Sequence, residues 1–187
     1  CLITGYPRNE IFFTPKNTNI LKEMKIEEKQ IIGYMPTWRG SVGKVRVYEE
    51  TIHIMHYLFE IDKRLNDDQI MLVNLHPFVQ NDIEFQKFKH ILPFPKDYET
   101  YEVLNLCDVL VTDYSSVFFD YAVTRNKIIL FAYDLEEYLE DRGLYVSLDS
   151  LPFPIVDNVR DLVSEINTPK NYNDSDFINT YCYKDNQ

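Results

Sequence analysis

The sequence predicts an α/β domain in which helices cover both faces of a parallel β-sheet. Short runs of apolar residues recur along the chain without polar alternation, as expected for strands buried on both faces. Segments with helical periodicity lie between these runs, and such alternation is typical of a parallel sheet. The pattern therefore predicts a Rossmann-like domain, in which ligands bind beyond the carboxyl ends of the strands.

Four apolar runs are predicted strands, at residues 31–35, 70–75, 108–112 and 127–131. The first stops at Pro36, which lacks the backbone N–H that a ladder requires. The second ends at His76 and Pro77. Polar residues are concentrated directly after the strands, so any chemistry is expected at the carboxyl edge of the sheet.

Five helices are predicted between and after these strands, at residues 48–65, 98–106, 116–124, 134–141 and 159–166. In the first, Ile54, Leu58, Ile61 and Leu65 fall on one face at a 3.6-residue period. Asp97 is the predicted N-cap of the second. The charged stretch 17–30 is expected to contain a further surface helix.

Residues 1–166 are predicted to form one Rossmann-like domain. The chain opens at Cys1 instead of Met, which indicates a piece of a longer protein. Residues 167–187 are polar and are expected to form a tail or helix that is frayed or lacks its packing partner.

Composition excludes several classes of function. The 187 residues include 19 Lys and Arg against 30 Asp and Glu, a net charge of −11, so nucleic-acid binding is not expected. The three cysteines have no CxxC spacing, which argues against a zinc site or a disulfide framework. The Gly-rich dinucleotide fingerprint and the Walker lysine loop are absent. No signal peptide and no apolar stretch long enough to span a membrane is seen. No metal and no cofactor is predicted.

The turn after the third strand is the first candidate site. Ser115 and Ser116 stand where a helix begins, so they could bind a phosphate or simply cap the helix. Asp113 would repel a phosphate and is expected to hold the turn or contact a hydroxyl. Asp120 could face the same cleft and accept from a sugar or glycerol hydroxyl, or be solvated.

The loop after the first strand is the second candidate. Thr37 offers a hydroxyl and Arg39 a planar cation for a phosphate. Trp38, the only tryptophan, could shield one side of a cleft. The alternative is a surface loop with a packed indole.

His76 follows a predicted buried strand and could donate to a phosphate or protonate a leaving group. A lone histidine is more often structural, so both interpretations stay open. His53 and His56 could share a helix face, but no third metal ligand is indicated and solvent exposure is expected for both.

Six segments in a fixed order resemble the CDP-glycerol glycerophosphotransferase family, which includes the teichoic-acid primases and polymerases and relatives in capsule synthesis. They are 4–9 (TGYPRN), 34–39 (YMPTWR), 75–77 (LHP), 108–121 (DVLVTDYSSVFFDY), 133–138 (YDLEEY) and 141–145 (DRGLY). The resemblance covers about residues 1–166, and the TDYSS run is its most specific part.

The resemblance implies a GT-B-like fold of two Rossmann-like domains, of which this chain is the carboxyl-terminal, donor-binding one. It implies transfer of a polyol phosphate, glycerol phosphate first of all, from a CDP-activated donor to a hydroxyl of a teichoic acid or capsular polymer, with CMP leaving. The acceptor would be lipid-linked or polymeric, and its base would lie in the missing amino-terminal domain. The longer protein is expected to be cytoplasmic and peripheral at the inner face of the bacterial membrane.

The resemblance also implies roles for individual residues. His76 would contact the donor diphosphate and assist the leaving CMP. Phosphate contacts would come from Arg39, Ser115 and Ser116, and contacts to the nucleotide or polyol from Pro36, Thr37, Asp113 and Asp120. Family members often carry a basic residue two places before the histidine, where this chain has Asn74.

Two other hypotheses stay open at this point. One is the donor domain of a GT-B sugar-nucleotide glycosyltransferase, and the other is a non-catalytic domain that kept the fold. If the chain belongs to a polyol-phosphate transferase, the isolated chain is expected to bind nucleotide and to catalyse transfer poorly.

Overall fold

A six-stranded sheet with every neighbouring pair parallel forms the centre of the chain. The computed structural model describes residues 5–39 and 44–185. Its strands are β1 (Gln30–Tyr34), β2 (Gln69–Val73), β3 (Ile91–Pro93), β4 (Val109–Thr112), β5 (Lys127–Phe131) and β6 (Ile155–Val156). Their order across the sheet is β3-β2-β1-β4-β5-β6. The order reverses between β1 and β4, and this switch point is where open α/β sheets bind ligands.

The predicted fold class is confirmed, and each of the four predicted strands is present within two residues of its expected bounds. The two edge strands, β3 and β6, were not among them. They have three and two residues, too few to produce an apolar run that periodicity can detect.

Eight α-helices lie in the described parts of the chain. They are α1 (Asn19–Met24), α2 (Lys44–Asp62), α3 (Pro77–Gln80), α4 (Thr100–Leu104), α5 (Val117–Tyr121), α6 (Leu135–Asp141), α7 (Val159–Asn167) and α8 (Ser175–Tyr181). The prediction of Asp97 as a helix cap is wrong. The extended residue Glu99 occupies the N-cap position of α4, and its side chain makes no cap hydrogen bond.

Both faces of the sheet are buried, which explains the uniformly apolar strands. One core cluster joins alternate strand residues such as Leu72 and Leu110 to side chains of α4, α5 and α8. The other joins Met71 and Val111 to side chains of α2 and α7. Polar side chains are thereby excluded from the strand interiors and gather at the strand ends.

The carboxyl-terminal segment is ordered against the first of these cores. Phe177 of α8 contacts the rings of Phe118, Phe119 and Phe153, so the packing partner of this segment lies within the chain. The two ends also meet, because the Tyr6 amide donates to the Asp185 carboxylate at 2.8 Å. In the described ranges 5–39 and 44–185, no helix combines the length and apolar character needed to cross a membrane.

Candidate functional site

The loops that follow β1 and β4 are tied together at the switch point of the sheet. The Met35 amide donates to the Val111 carbonyl at 3.0 Å, and the Thr112 hydroxyl donates to the Met35 carbonyl at 2.6 Å. These bonds extend the β1–β4 pairing past the strand ends. They place residues 36–39 beside the turn 113–116 and so bring both predicted site segments together.

Asp113 is the hub of this arrangement. Its carboxylate is 1% exposed and accepts from the Thr37 amide at 2.9 Å, the Thr37 hydroxyl at 2.7 Å and the Ser115 amide at 3.2 Å. It also accepts from the adjacent Tyr114 amide. Asp113 therefore holds its own turn, which is one of the two alternatives predicted from its sequence position. Its contact with a nucleotide or polyol stays a prediction.

Arg39 is clamped between two carboxylates. Its Nη1 lies 2.7 Å from Asp113 Oδ2, and its Nε and Nη2 donate to Asp134 at 2.6 and 3.0 Å. The rings of Tyr114 and Tyr138 lie about 5 Å from the guanidinium, within range for cation–π attraction. Burial alone would lower the pKa of Arg39, but the hydrogen bond to Asp134 and the charge of Asp113 raise it well above its ordinary value.

Arg39 is therefore a permanent cation whose first task is to join three loops. A phosphate contact from Arg39 stays a prediction, and it would require the guanidinium to be shared with Asp113 or Asp134. Sequence reasoning did not assign Asp134 a role. The available signal was its position three residues after the end of β5, at the same edge of the sheet.

The two serines of the TDYSS turn differ. The Ser115 hydroxyl accepts from the Val117 amide at 3.4 Å, which is the predicted capping role in a weak form. Ser116 stands at the N-cap position of α5, is exposed, and makes no side-chain cap hydrogen bond. Phosphate binding by either serine stays a prediction, and Ser116 is the better placed of the two.

His76 lies in the loop after β2, three residues beyond Val73, and β2 is the neighbour of β1 in the sheet. Its ring stacks on Trp38 with centroids 4.3 Å apart and planes 13° from parallel. Its Nδ1 accepts from the Phe78 amide at 3.4 Å at the start of α3. Since Nδ1 is the acceptor, the neutral imidazole carries its hydrogen on Nε2, which can donate to a ligand.

The other histidines do not join this site. His53 and His56 are exposed on α2, as predicted. His90 is buried, with its Nδ1 3.1 Å from the Asp62 carbonyl and its Nε2 3.2 Å from Asp67 Oδ1, so its role is structural. Within the described residues, no group of three or more His, Cys, Asp or Glu side chains is arranged to hold a metal ion.

Asp120 is buried and already paired. It is 1% exposed, its carboxylate lies 2.9 Å from Arg8 Nη2, and it accepts from the Tyr101 hydroxyl at 2.6 Å. The alternative that Asp120 is solvated is therefore wrong. Its predicted contact with a ribose or polyol hydroxyl stays a prediction, and Arg8 or Tyr101 would have to release the carboxylate.

Arg8→Ala is expected to lower the free energy of unfolding by about 1–3 kcal/mol, because a buried carboxylate loses one of its two side-chain donors. Urea denaturation of the chain measures this. Arg64→Ala is the matched control, since Arg64 forms an exposed ion pair with Glu60 on α2. Equal effects of the two substitutions would show that the Arg8–Asp120 pair does not stabilise the fold.

A cavity of about 860 Å³ lies beside Arg39, and its lining does not include His76, Ser115 or Ser116. Its lining includes Tyr57, Tyr133 and Arg142 together with the carboxylates of Glu137, Glu140 and Asp141. With Asp134, four carboxylates outnumber the two arginines of the lining, Arg39 and Arg142, so the cavity is a poor place for a diphosphate. The other candidate place for an anion at this edge of the sheet is the switch point between β1 and β4, called the switch-point crevice below.

The strand order, and the polar groups gathered at its switch point, define a Rossmann-like α/β domain. The chain belongs to the CDP-Glycerol:Poly(glycerophosphate) glycerophosphotransferase family, whose model matches residues 1–183. The resemblance seen in the sequence is thereby confirmed.

Several curated relatives are teichoic-acid enzymes. The chain is 31% identical to a teichoic acid poly(ribitol-phosphate) polymerase of Bacillus spizizenii, over 98% of this chain and 31% of that protein. It is 30% identical to a teichoic acid glycerol-phosphate primase of Bacillus subtilis, over 90% of this chain and 43% of that protein. It is 33% identical to a teichoic acid glycerol-phosphate transferase of Staphylococcus aureus, over 88% of this chain and 44% of that protein.

The solved structure of the wall teichoic acid polymerase TagF has the same fold over this region. It superposes with a TM-score of 0.69 at 27% identity and covers 98% of this chain and 46% of TagF. The chain thus spans less than half the length of these relatives.

Proposed function

We propose that this chain is the donor-binding domain of a transferase that moves a polyol phosphate from a CDP-activated donor to a hydroxyl of a cell-wall teichoic acid. The observation that carries the proposal is the family match over residues 1–183, together with the placement of its most specific run, TDYSS, at the switch point of the sheet. Glycerol phosphate is the cargo that the family description names.

The geometry suggests how the chain would hold the donor. Ser116 and the backbone amides at the start of α5 would take phosphate oxygens, with Ser115 beside them. His76 would donate from Nε2 to the same diphosphate from the opposite side of the crevice. Asp113 and Arg39 would keep the intervening loops fixed, so that these donors are in place before the substrate arrives.

The proposed step balances without a cofactor. The acceptor oxygen forms a bond to the phosphorus that carries the polyol, and the bond from this phosphorus to the bridging oxygen breaks. CMP leaves with that oxygen, whose growing charge the His76 N–H stabilises. The proton of the acceptor hydroxyl goes to a base. We place this base, and the acceptor site, in an amino-terminal domain of the longer protein. The longer protein would act at the inner face of the membrane.

Titration calorimetry of the 187-residue chain with CDP-glycerol, CDP-ribitol, UDP-glucose and CMP tests the proposal. A CDP-polyol is expected to bind and UDP-glucose is not. Binding of UDP-glucose in place of both CDP-polyols would favour a sugar-nucleotide glycosyltransferase, and binding of none of the four would contradict donor binding by this chain.

A charge placed at the phosphate turn sharpens this test. Ser116→Asp is expected to abolish CDP-polyol binding, because it puts an anion where the diphosphate is proposed to lie. Ser164→Asp changes the net charge equally at an exposed position on α7 and is expected to leave binding intact. Equal affinities of the two variants for the CDP-polyol would show that the diphosphate does not bind at α5.

A further inference from the structure

We propose that Trp38 is a positioning residue for the transfer step, acting through His76 by fixing the plane of its imidazole ring. The inference rests on the proposed function, since it assumes that His76 meets the donor diphosphate. It assigns a specific task to an indole that would otherwise be a packed side chain of a surface loop.

The sheet brings the two rings together. β1 and β2 pair in parallel with Tyr34 opposite Val73, so the loops that leave their carboxyl ends run side by side. Trp38 comes four residues after Tyr34, and His76 comes three residues after Val73. Their rings are stacked nearly in parallel at 4.3 Å, closer than most aromatic pairs.

The stack leaves His76 few alternatives. The indole limits tilting of the imidazole plane, and the Phe78 amide, bonded to Nδ1, limits rotation within that plane. The Phe78 ring lies 5.0 Å from the imidazole on another side and is 61% exposed. Nε2 is then the one ring nitrogen of His76 without a partner among the described residues, and its direction is set by the two contacts.

Trp38 itself is anchored through its backbone. Its carbonyl accepts from Arg142 at 3.0 Å, and the preceding residue, Thr37, is bonded to Asp113 through both its amide and its hydroxyl. The clamp around Arg39 follows immediately in the chain. The indole is therefore a fixed platform under His76.

The hydrogen bonding of the indole argues that this position is not optimised for stability alone. The Nε1–H of Trp38 is buried and has no hydrogen-bond partner in the described parts of the chain. A buried tryptophan N–H normally finds a partner, and leaving it unmade disfavours the folded state. The stacking contact with His76 gives a functional reason for an indole at this position.

A double-mutant cycle in the longer protein, with kcat and KM for CDP-glycerol as readouts, tests the inference. Trp38→Leu is expected to lower kcat about tenfold and to change KM little. A tenfold loss is the upper end of what the loss of one aromatic stack costs. Trp38→Phe keeps a ring under the imidazole and is expected to recover most of that loss. In a His76→Ala background, Trp38→Leu is expected to cost nothing further, because its effect passes through His76.

Phe85→Leu is the matched control, since it shortens a half-buried ring that packs on Phe88 outside the site. Independent, multiplying losses from Trp38→Leu and His76→Ala would overturn the positioning role, as would full activity of Trp38→Leu. A wild-type protein that transfers no polyol phosphate would instead overturn the proposed function, and the inference with it.

The fluorescence of the 187-residue chain tests the contact apart from activity, because Trp38 is its only tryptophan. An imidazolium in contact with an indole quenches its emission, so His76→Ala is expected to raise emission at acidic pH, whereas His56→Ala is not. Equal emission of the two variants would contradict the stack.

Discussion

Asp113→Ala is expected to lower the free energy of unfolding by about 3–5 kcal/mol, the largest effect on stability of any single substitution in the site. The carboxylate is buried and accepts from two groups of Thr37 and from the amides of Tyr114 and Ser115, besides pairing with Arg39. Its removal leaves several partly buried donors without their acceptor at once. The loss is a large share of the 5–15 kcal/mol that typically stabilises a domain.

Urea denaturation of the chain measures this effect. Asp149→Ala removes an exposed carboxylate and is the matched control, expected to change stability little. Asp113→Asn keeps the shape and one acceptor oxygen, so its loss should fall between the two. A stability of Asp113→Ala equal to that of Asp149→Ala would show that the loops after β1 and β4 are held by other contacts.

His76→Ala is expected to lower kcat for polyol-phosphate transfer by the longer protein about 10²- to 10³-fold, the usual cost of losing one preorganised donor at a developing negative charge. The fold should survive, because among the described residues the side chain of His76 makes a single long hydrogen bond, to Phe78. Assay of CMP release together with thermal unfolding separates the two effects.

His90→Ala provides the opposite control. His90 is buried between Asp62 and Asp67 at the amino-terminal end of the edge strand β3, so its loss should reduce stability and spare kcat in the folded fraction. Full transfer activity of the His76→Ala variant would show that His76 takes no part in the transfer step.

The strands that form the centre of the sheet could be predicted because burial on both faces makes them uniformly apolar. The run at 127–131 was predicted to the residue, as β5. The edge strand β6 has two residues, one of them exposed, and leaves no such signal. Helix α8 was obscured by its polar surroundings, although Phe177 and Ile178 supply the face that packs on the core.

The sequence predicted that the polar segments after β1, β2 and β4 lie at one edge of the sheet, and the structure places them there. The contacts between their side chains could not be predicted. That Asp134 would clamp Arg39, or that Arg8 would cover Asp120, depends on contacts across 95 and 112 residues of chain. Such pairs arise from tertiary packing and have no local pattern. The stacking of Trp38 on His76 likewise required the register of β1 against β2.

A crystal structure of the chain soaked with CDP-glycerol tests the central claim most directly. We expect the diphosphate in the switch-point crevice, within hydrogen-bond distance of His76 Nε2 on one side and of Ser116 on the other. Density for the diphosphate in the cavity lined by Glu137, Glu140 and Asp141, away from both residues, would contradict it.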